Sequence, residues 1–295
     1  MTAAHAAPSK DEINKKIDKA SDDLEDVTEA YNKLRISLKK TASDEKKLAA
    51  SIAPAKKAHD AAAAQLGVIA ASAYKGGQVG TVNVILEGPG SLLERMSVVE
   101  QMSRTRQREI NAYLETTKTY RERQTALEAT RAKQNAEAKE LDKRKKKIQA
   151  DLKKLYKMRT AAYGSPTEKG SRYTGDIPSI PGSAGKAVSF AYNQIGKMYG
   201  FGDAGPNTYD CSGLTMAAWN KGGKSLPHQA SAQYSATIRI SRSDLQPGDL
   251  VFYRSLKHVG LYVGGGQIID ASRAGQPVKK RDMDIMTPHS YGRVR

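Results

Sequence analysis

The chain carries a single cysteine, Cys211, among its 295 residues. A lone thiol forms no internal disulfide, so it is either a small buried residue or a nucleophile. It stands in Tyr209-Asp210-Cys211-Ser212-Gly213-Leu214-Thr215-Met216. Residues 202–210 read as a loop, and the residues after the cysteine read as a helix. That puts the thiol at a helix N-terminus, where the macrodipole and free backbone N–H groups favour a thiolate and can hold an oxyanion. The chemistry open to such a residue is nucleophilic attack, and it needs a base. Of the five histidines, His5 and His59 lie outside this region, His228 sits in a Leu-Pro-His-Gln turn, and His289 is near the C-terminus. His258 opens His258-Val259-Gly260-Leu261-Tyr262-Val263-Gly264, an alternating strand that would give a base a fixed direction. After the turn Gly264-Gly265-Gly266, the strand Gln267-Ile268-Ile269-Asp270 returns. In a hairpin Asp270 comes back beside His258, where it can accept the second ring N–H and fix the tautomer. Taken alone, His258 is equally well a structural strand histidine.

These residues need a scaffold. A helical pattern at 186–197 and short strands at 249–254, 258–264 and 267–272 predict a small α+β domain over 185–295. Residues 164–184, punctuated by Gly164-Ser165-Pro166, Asp176-Ile177-Pro178 and Pro181-Gly182-Ser183, read as a linker. Before it the pattern changes. Apolar residues at alternating steps of four and three run through Ile13, Ile17, Ala20, Leu24, Val27, Tyr31, Leu34 and Leu38, and on to Ala73. Thr41, Glu45 and His59 are the poor seam positions, and Pro54 is expected to kink or end the helix. A second, more polar seam runs from Leu92 to Leu155. Residues 9–163 are therefore expected to form a long antiparallel coiled-coil hairpin with an apolar tip near 76–99. A helix that dimerises with another chain is the alternative.

Composition narrows the class. Charged residues make up 27% and aromatic residues 6%, a profile of long helices with a thin apolar seam. The net charge is +17. Residues 1–163 hold 32 Lys/Arg against 22 Asp/Glu, and residues 164–295 hold 16 against 9, so no single basic tail explains it. Such a chain is drawn to polyanions. It has no zinc-finger spacing and no RNA-binding signature, so nucleic acid is not the expected partner. The run Lys143-Arg144-Lys145-Lys146-Lys147 reads as a solvated helix face. No apolar run of about 18 residues predicts a membrane span. The small, alanine-rich start, residues 1–8, looks like the region around a signal-peptidase site, so a mature secreted protein is expected, with an ordinary cytosolic N-terminus as the alternative.

The C-terminal residues resemble the NlpC-type (NlpC/P60) cell-wall endopeptidases. The resemblance rests on Gly196-Lys197-Met198-Tyr199-Gly200-Phe201-Gly202, Tyr209-Asp210-Cys211-Ser212-Gly213-Leu214 and Leu226-Pro227. It continues through Leu245-Gln246-Pro247-Gly248-Asp249-Leu250-Val251-Phe252 and His258-Val259-Gly260-Leu261-Tyr262-Val263-Gly264, in this order. It implies a papain-like fold with Cys211 as nucleophile, His258 as base and Asp270 as the third, orienting residue. That third position is more often His, Asn, Gln or Glu in the family. It further implies Tyr199 as an aid to the oxyanion site, and Asp210 and Ser212 as residues facing substrate. A buried loop aromatic and two helix-capping residues are the alternative for these three. The implied reaction is thiolate attack on the peptide stem of peptidoglycan, usually between D-glutamate and the diamino acid, through a thioester. No metal or organic cofactor is implied.

A long coiled-coil hairpin before such a domain resembles the division-associated hydrolases of the RipC and PcsB type. Their hairpins dock to a membrane protein of the FtsX type and can cover the active site. A helical arm on a short linker has a high effective concentration. The full chain is therefore expected to be less active than residues 185–295 alone. Two other readings remain: a scaffold or activator with a decayed site, and an acyltransferase or amidase on the same fold.

Overall fold

The computed structural model describes residues 10–76 and 91–295. Two long helices come first, α1 (Lys10–Gly76) and α2 (Leu92–Tyr163). Shorter helices follow: α3 (Gly182–Tyr192), α4 (Cys211–Lys221) and α5 (Ala230–Ser235). Six strands complete the chain: β1 (Ile238–Ile240), β2 (Leu250–Tyr253), β3 (His258–Gly264), β4 (Gln267–Asp270), β5 (Lys279–Asp282) and β6 (Pro288–Arg293). They form one antiparallel sheet in the order β1-β6-β2-β3-β4-β5. The fold class is the expected one, an α+β domain behind a long helical region.

The chain divides into two compact units, residues 1–38 with 137–295, and residues 39–136. The division falls across the long helices rather than at the linker. In the second unit α1 and α2 run antiparallel. Glu45 meets Arg131 at 3.0 Å, Ser51 carbonyl accepts from Arg123 at 2.9 Å, and the His59 ring lies against Tyr120 and Tyr113. Two of the poor seam positions, Glu45 and His59, thus make polar or aromatic contacts across the pair. Pro54 neither ends nor interrupts α1. Its ring lies on an exposed position, and Arg123 supplies a donor to the neighbouring Ser51 carbonyl. Residues 77–90 of the expected tip, and the N-terminal residues 1–9, lie outside the described residues.

In the first unit the ends of the long helices join the core of the α+β domain. Ile17, Leu24, Ile148 and Leu155 are almost fully buried in the same cluster as Cys211, Leu214, Trp219 and Leu261. A side chain buried this completely stabilises by about 1.5–3 kcal/mol. The sheet alternates as its period of two requires. Leu250 and Phe252 of β2 face this cluster, and Val251 and Tyr253 face a smaller one with Ile268 and Met283. Helix α3 begins at Gly182, inside the span read as linker. The preceding loop is held by Glu168, whose carboxylate pairs with Lys279 at 2.7 Å and whose N–H reaches Gly275 carbonyl at 2.8 Å.

Candidate active site

Cys211 is the first residue of α4. Asp210 is its N-cap, and Oδ1 accepts from Gly213 N–H at 2.6 Å. This cap satisfies one of the helix's free donors and leaves those nearest the sulfur. Gly213 has to be glycine, since a Cβ there would lie 2.1 Å from Asp203 carbonyl oxygen and 2.9 Å from both Asp210 Oδ1 and His228 Nε2. At the other end of α4, Trp219 donates to Gly248 carbonyl at 3.1 Å, tying the helix to the turn before β2.

His258 opens β3 opposite Tyr253 of β2. Its Nε2 lies 2.7 Å from Asp270 Oδ2 at the end of β4. The register that pairs Leu261 with Ile269 sets Asp270 opposite Gly260, on the same face as His258. A Cβ at Gly260 would lie 2.9 Å from Ile268 Cδ1 and in ordinary contact with Asp270 Cβ, so the glycine lets β4 pack closely here. Arg281 of β5 also pairs with Asp270. His258 Nδ1 carries a different partner, and a ring nitrogen of His258 lies within 4.8 Å of the Cys211 sulfur. The sulfur further receives a hydrogen bond from Val259 N–H.

Six residues singled out in the sequence therefore share one site. Cys211, His258, Asp270, Asp210 and Ser212 are almost fully buried, and Tyr199 is nearly so. Asp210 is both cap and hub, since beyond Gly213 it meets His228 Nε2 at 2.8 and 2.9 Å. His228 is thus half-buried against the site and not a surface turn. Gln233 of α5 supports the α4 start by donating to Ser212 carbonyl at 2.7 Å.

The remaining partners come from α1. Glu25 pairs with His258 Nδ1. Glu29 Oε1 accepts from Ser212 Oγ at 2.9 Å and lies 3.9 Å from Cys211 Sγ, and its Oε2 accepts from Ala230 N–H at 2.7 Å. Asn32 donates to Asp210 Oδ2 at 3.0 Å, and Thr28 hydrogen-bonds Tyr199. Around this patch, Asp18 pairs with Arg273 at 2.6 Å, and Arg254 contacts Asp22, Glu25 and Asp26. Asp18, Asp22, Glu25, Glu29 and Asn32 recur at steps of four and three, one or two residues beyond the apolar seam. This polar series, parallel to the apolar seam, is the sequence signal for the α1 contacts.

The electrostatics follow from burial among carboxylates. Burial first, then the charges of Glu29, Glu25 and Asp210, push the Cys211 thiol well up. Burial and the Asp210 charge raise Glu29 from 4.5 to about 8. For His258, burial acts downward, but the Glu25 charge and the hydrogen bonds to Asp270 and Glu25 outweigh it and lift the imidazole from 6.5 to about 9. Burial would raise Asp270, yet the Arg281 charge and the His258 hydrogen bond hold it below its usual range. Both shifts favour a charged imidazole and a protonated thiol at neutral pH.

The family model for the NlpC/P60 family matches residues 196–294. Residues 196–294 form an NlpC/P60 domain. A probable endopeptidase of Corynebacterium glutamicum is 44% identical over 110 residues, which is 37% of this chain and 53% of that protein. The probable endopeptidase p60 of Listeria innocua is 47% identical over 91 residues, 30% of this chain and 20% of that one. The chain spans about half the length or less of these curated relatives. The crystal structure of the NlpC/p60 domain of the peptidoglycan hydrolase SagA is 32% identical and covers 38% of this chain and 98% of that one, with a TM-score of 0.36. The NlpC/P60 match contains all six site residues and leaves the Glu25, Glu29 and Asn32 contacts outside it.

Proposed function

We propose that the chain is a secreted, cell-wall associated cysteine endopeptidase that cleaves peptidoglycan stem peptides, with the bond between D-glutamate and the diamino acid as its target. The observation that carries this reading is Cys211 at the start of α4, facing a His258 whose far nitrogen is held by Asp270, within an NlpC/P60 domain. In the reaction His258 takes the thiol proton, and the thiolate attacks the stem-peptide carbonyl. The first N–H groups of α4, with Tyr199 beside them, face the developing oxyanion. Collapse expels the amine, which receives the proton from imidazolium, and water then hydrolyses the thioester.

The form described here is closed. Cys211 and His258 are 0% and 1% exposed, with Glu25 and Glu29 of α1 against them. We infer that α1 inhibits the enzyme until it is lifted, and that a membrane protein of the FtsX type does this during cell division or daughter-cell separation.

The test is muropeptide release from purified cell wall, read by mass spectrometry. The Glu25→Lys/Glu29→Lys double variant is expected to exceed the parent chain by about tenfold or more, because a lysine at 25 sets its charge against His258 and Arg254 and one at 29 cannot accept the Ala230 N–H and Ser212 hydrogen bonds, so α1 is expelled. Adding Cys211→Ala should abolish release. Release that survives Cys211→Ala overturns the peptidase reading. Equal release by parent and double variant overturns inhibition by α1.

A further inference from the structure

The contact between α1 and the candidate active site brings together a thiol, an imidazole and a carboxylate. Cys211 Sγ, a His258 ring nitrogen and a Glu25 carboxylate oxygen all lie within 4.8 Å of one another, on three buried residues. We propose that these three side chains form a binding site for a zinc-like divalent ion, and that the ion fastens α1 over the catalytic pair.

Ligand chemistry favours this class of metal. A mixed sulfur, nitrogen and oxygen set suits zinc, whereas magnesium and calcium take oxygen ligands. Zinc bonds of about 2.0–2.3 Å place tetrahedral ligand atoms roughly 3.3–3.8 Å apart, so small side-chain rotations that bring in the sulfur and ease the Glu25 oxygen off its hydrogen bond to His258 reach this spacing. The surroundings are those of a metal-bound histidine. His258 directs Nε2 to Asp270 at 2.7 Å, and a carboxylate on the far nitrogen fixes the ring and makes the near one a better ligand. Arg254 pairs with Glu25 Oε2, which leaves Oε1, the oxygen now on His258, to turn to the ion. Glu29 Oε1, 3.9 Å from the sulfur, is the next oxygen in reach as a fourth ligand.

The three ligands sit on α4, β3 and α1. The full set exists only while α1 is docked, so the ion stabilises the docked form by mass action. It is an inhibitor and not a catalyst, because it occupies both nucleophile and base. That consequence rests on the proposed peptidase reading, whereas metal binding itself does not.

The experiment titrates Zn2+ into the metal-free full chain by calorimetry, with Co2+ as an optical probe of sulfur ligation. Circular dichroism checks that each variant is folded. The parent is expected to bind one equivalent and to show thiolate-to-cobalt absorption. Glu25→Gln should weaken binding by about tenfold or more, and Cys211→Ser should remove the absorption. Asp26→Asn removes docking ion pairs to Arg254 and Lys257 but no ligand, so it should hold affinity within about threefold. Parent-like binding by Glu25→Gln, an equal loss in Asp26→Asn, or no saturable binding overturns the proposal. Muropeptide release that persists in Cys211→Ala would instead sink the peptidase reading and leave the metal site standing.

Discussion

Asp270 is the residue on which the chemistry of His258 turns. It is buried, bonded to Nε2, and kept ionised by Arg281. Asp270→Asn keeps the shape but offers an amide that can present a donor to the ring and so favour the wrong tautomer. In the released double variant, kcat for muropeptide cleavage is expected to fall by about a hundredfold or more with KM little changed. Undiminished turnover would show that another group orients the imidazole. Sequence gave access to this pair because a three-glycine turn between two alternating strands leaves little choice of register. It did not reveal Arg281. The segment Lys279–Asp282 consists of four charged residues and has no apolar alternation to mark it as a strand. It is a strand only because β4 offers it an edge to pair with, and that is a tertiary fact.

At the scale of elements, α4 illustrates how one glycine supports a reactive residue. The turn carrying Asp203 crosses so close to α4 that any side chain at 213 collides with backbone as well as with the capping carboxylate. Gly213→Ala is expected to destabilise the fold by about 1–3 kcal/mol, seen as a lower urea midpoint with unchanged slope. An unchanged midpoint would mean that the 200–210 loop shifts freely. The long helices were legible as elements, because a seam of four-three spacing survives any tertiary arrangement. Their division was not. The seam looks continuous from Ile13 to Ala73, yet the part up to Leu38 packs into the same unit as the NlpC/P60 domain. What separates the two parts is the polar stripe, and its partners, Ser212, Asp210, His258 and Arg254, lie some two hundred residues away. Strands β1 and β6 escaped for a related reason, since they are short and pair with each other and with β2 rather than with a neighbour in sequence.

For the molecule as a whole, docking α1 is linked to protons. Glu29 has its pKa raised from 4.5 to about 8, by burial first and then by Asp210, and His258 rises from 6.5 to about 9 against burial and through Glu25 and Asp270. Glu25 and Asp210 face Glu29, and Glu25, Asp270 and Cys211 face His258. A group with a higher pKa when docked binds more protons in that state, so low pH favours docking. The Glu29 contribution is complete below 4.5 and lost through about 8. The Asp270 share of the His258 shift is present whether or not α1 is docked, so only the Glu25 share belongs to this linkage. Through Glu29, docking weakens as the medium turns alkaline. Muropeptide release by the parent chain should climb between pH 6 and 9 relative to Glu29→Gln, whose amide imitates the protonated acid. Parallel profiles would remove Glu29 from the linkage. The polar stripe has one more consequence. Glu25, Glu29 and Asn32 stand on successive turns of a single helix face. Advancing the helix by one residue turns that face by about 100°. All three side chains would leave their partners together, without any separation of α1 from the domain. Torsion about the helix axis is then a sufficient trigger, and the angular phase of α1 becomes the quantity that an activator must change.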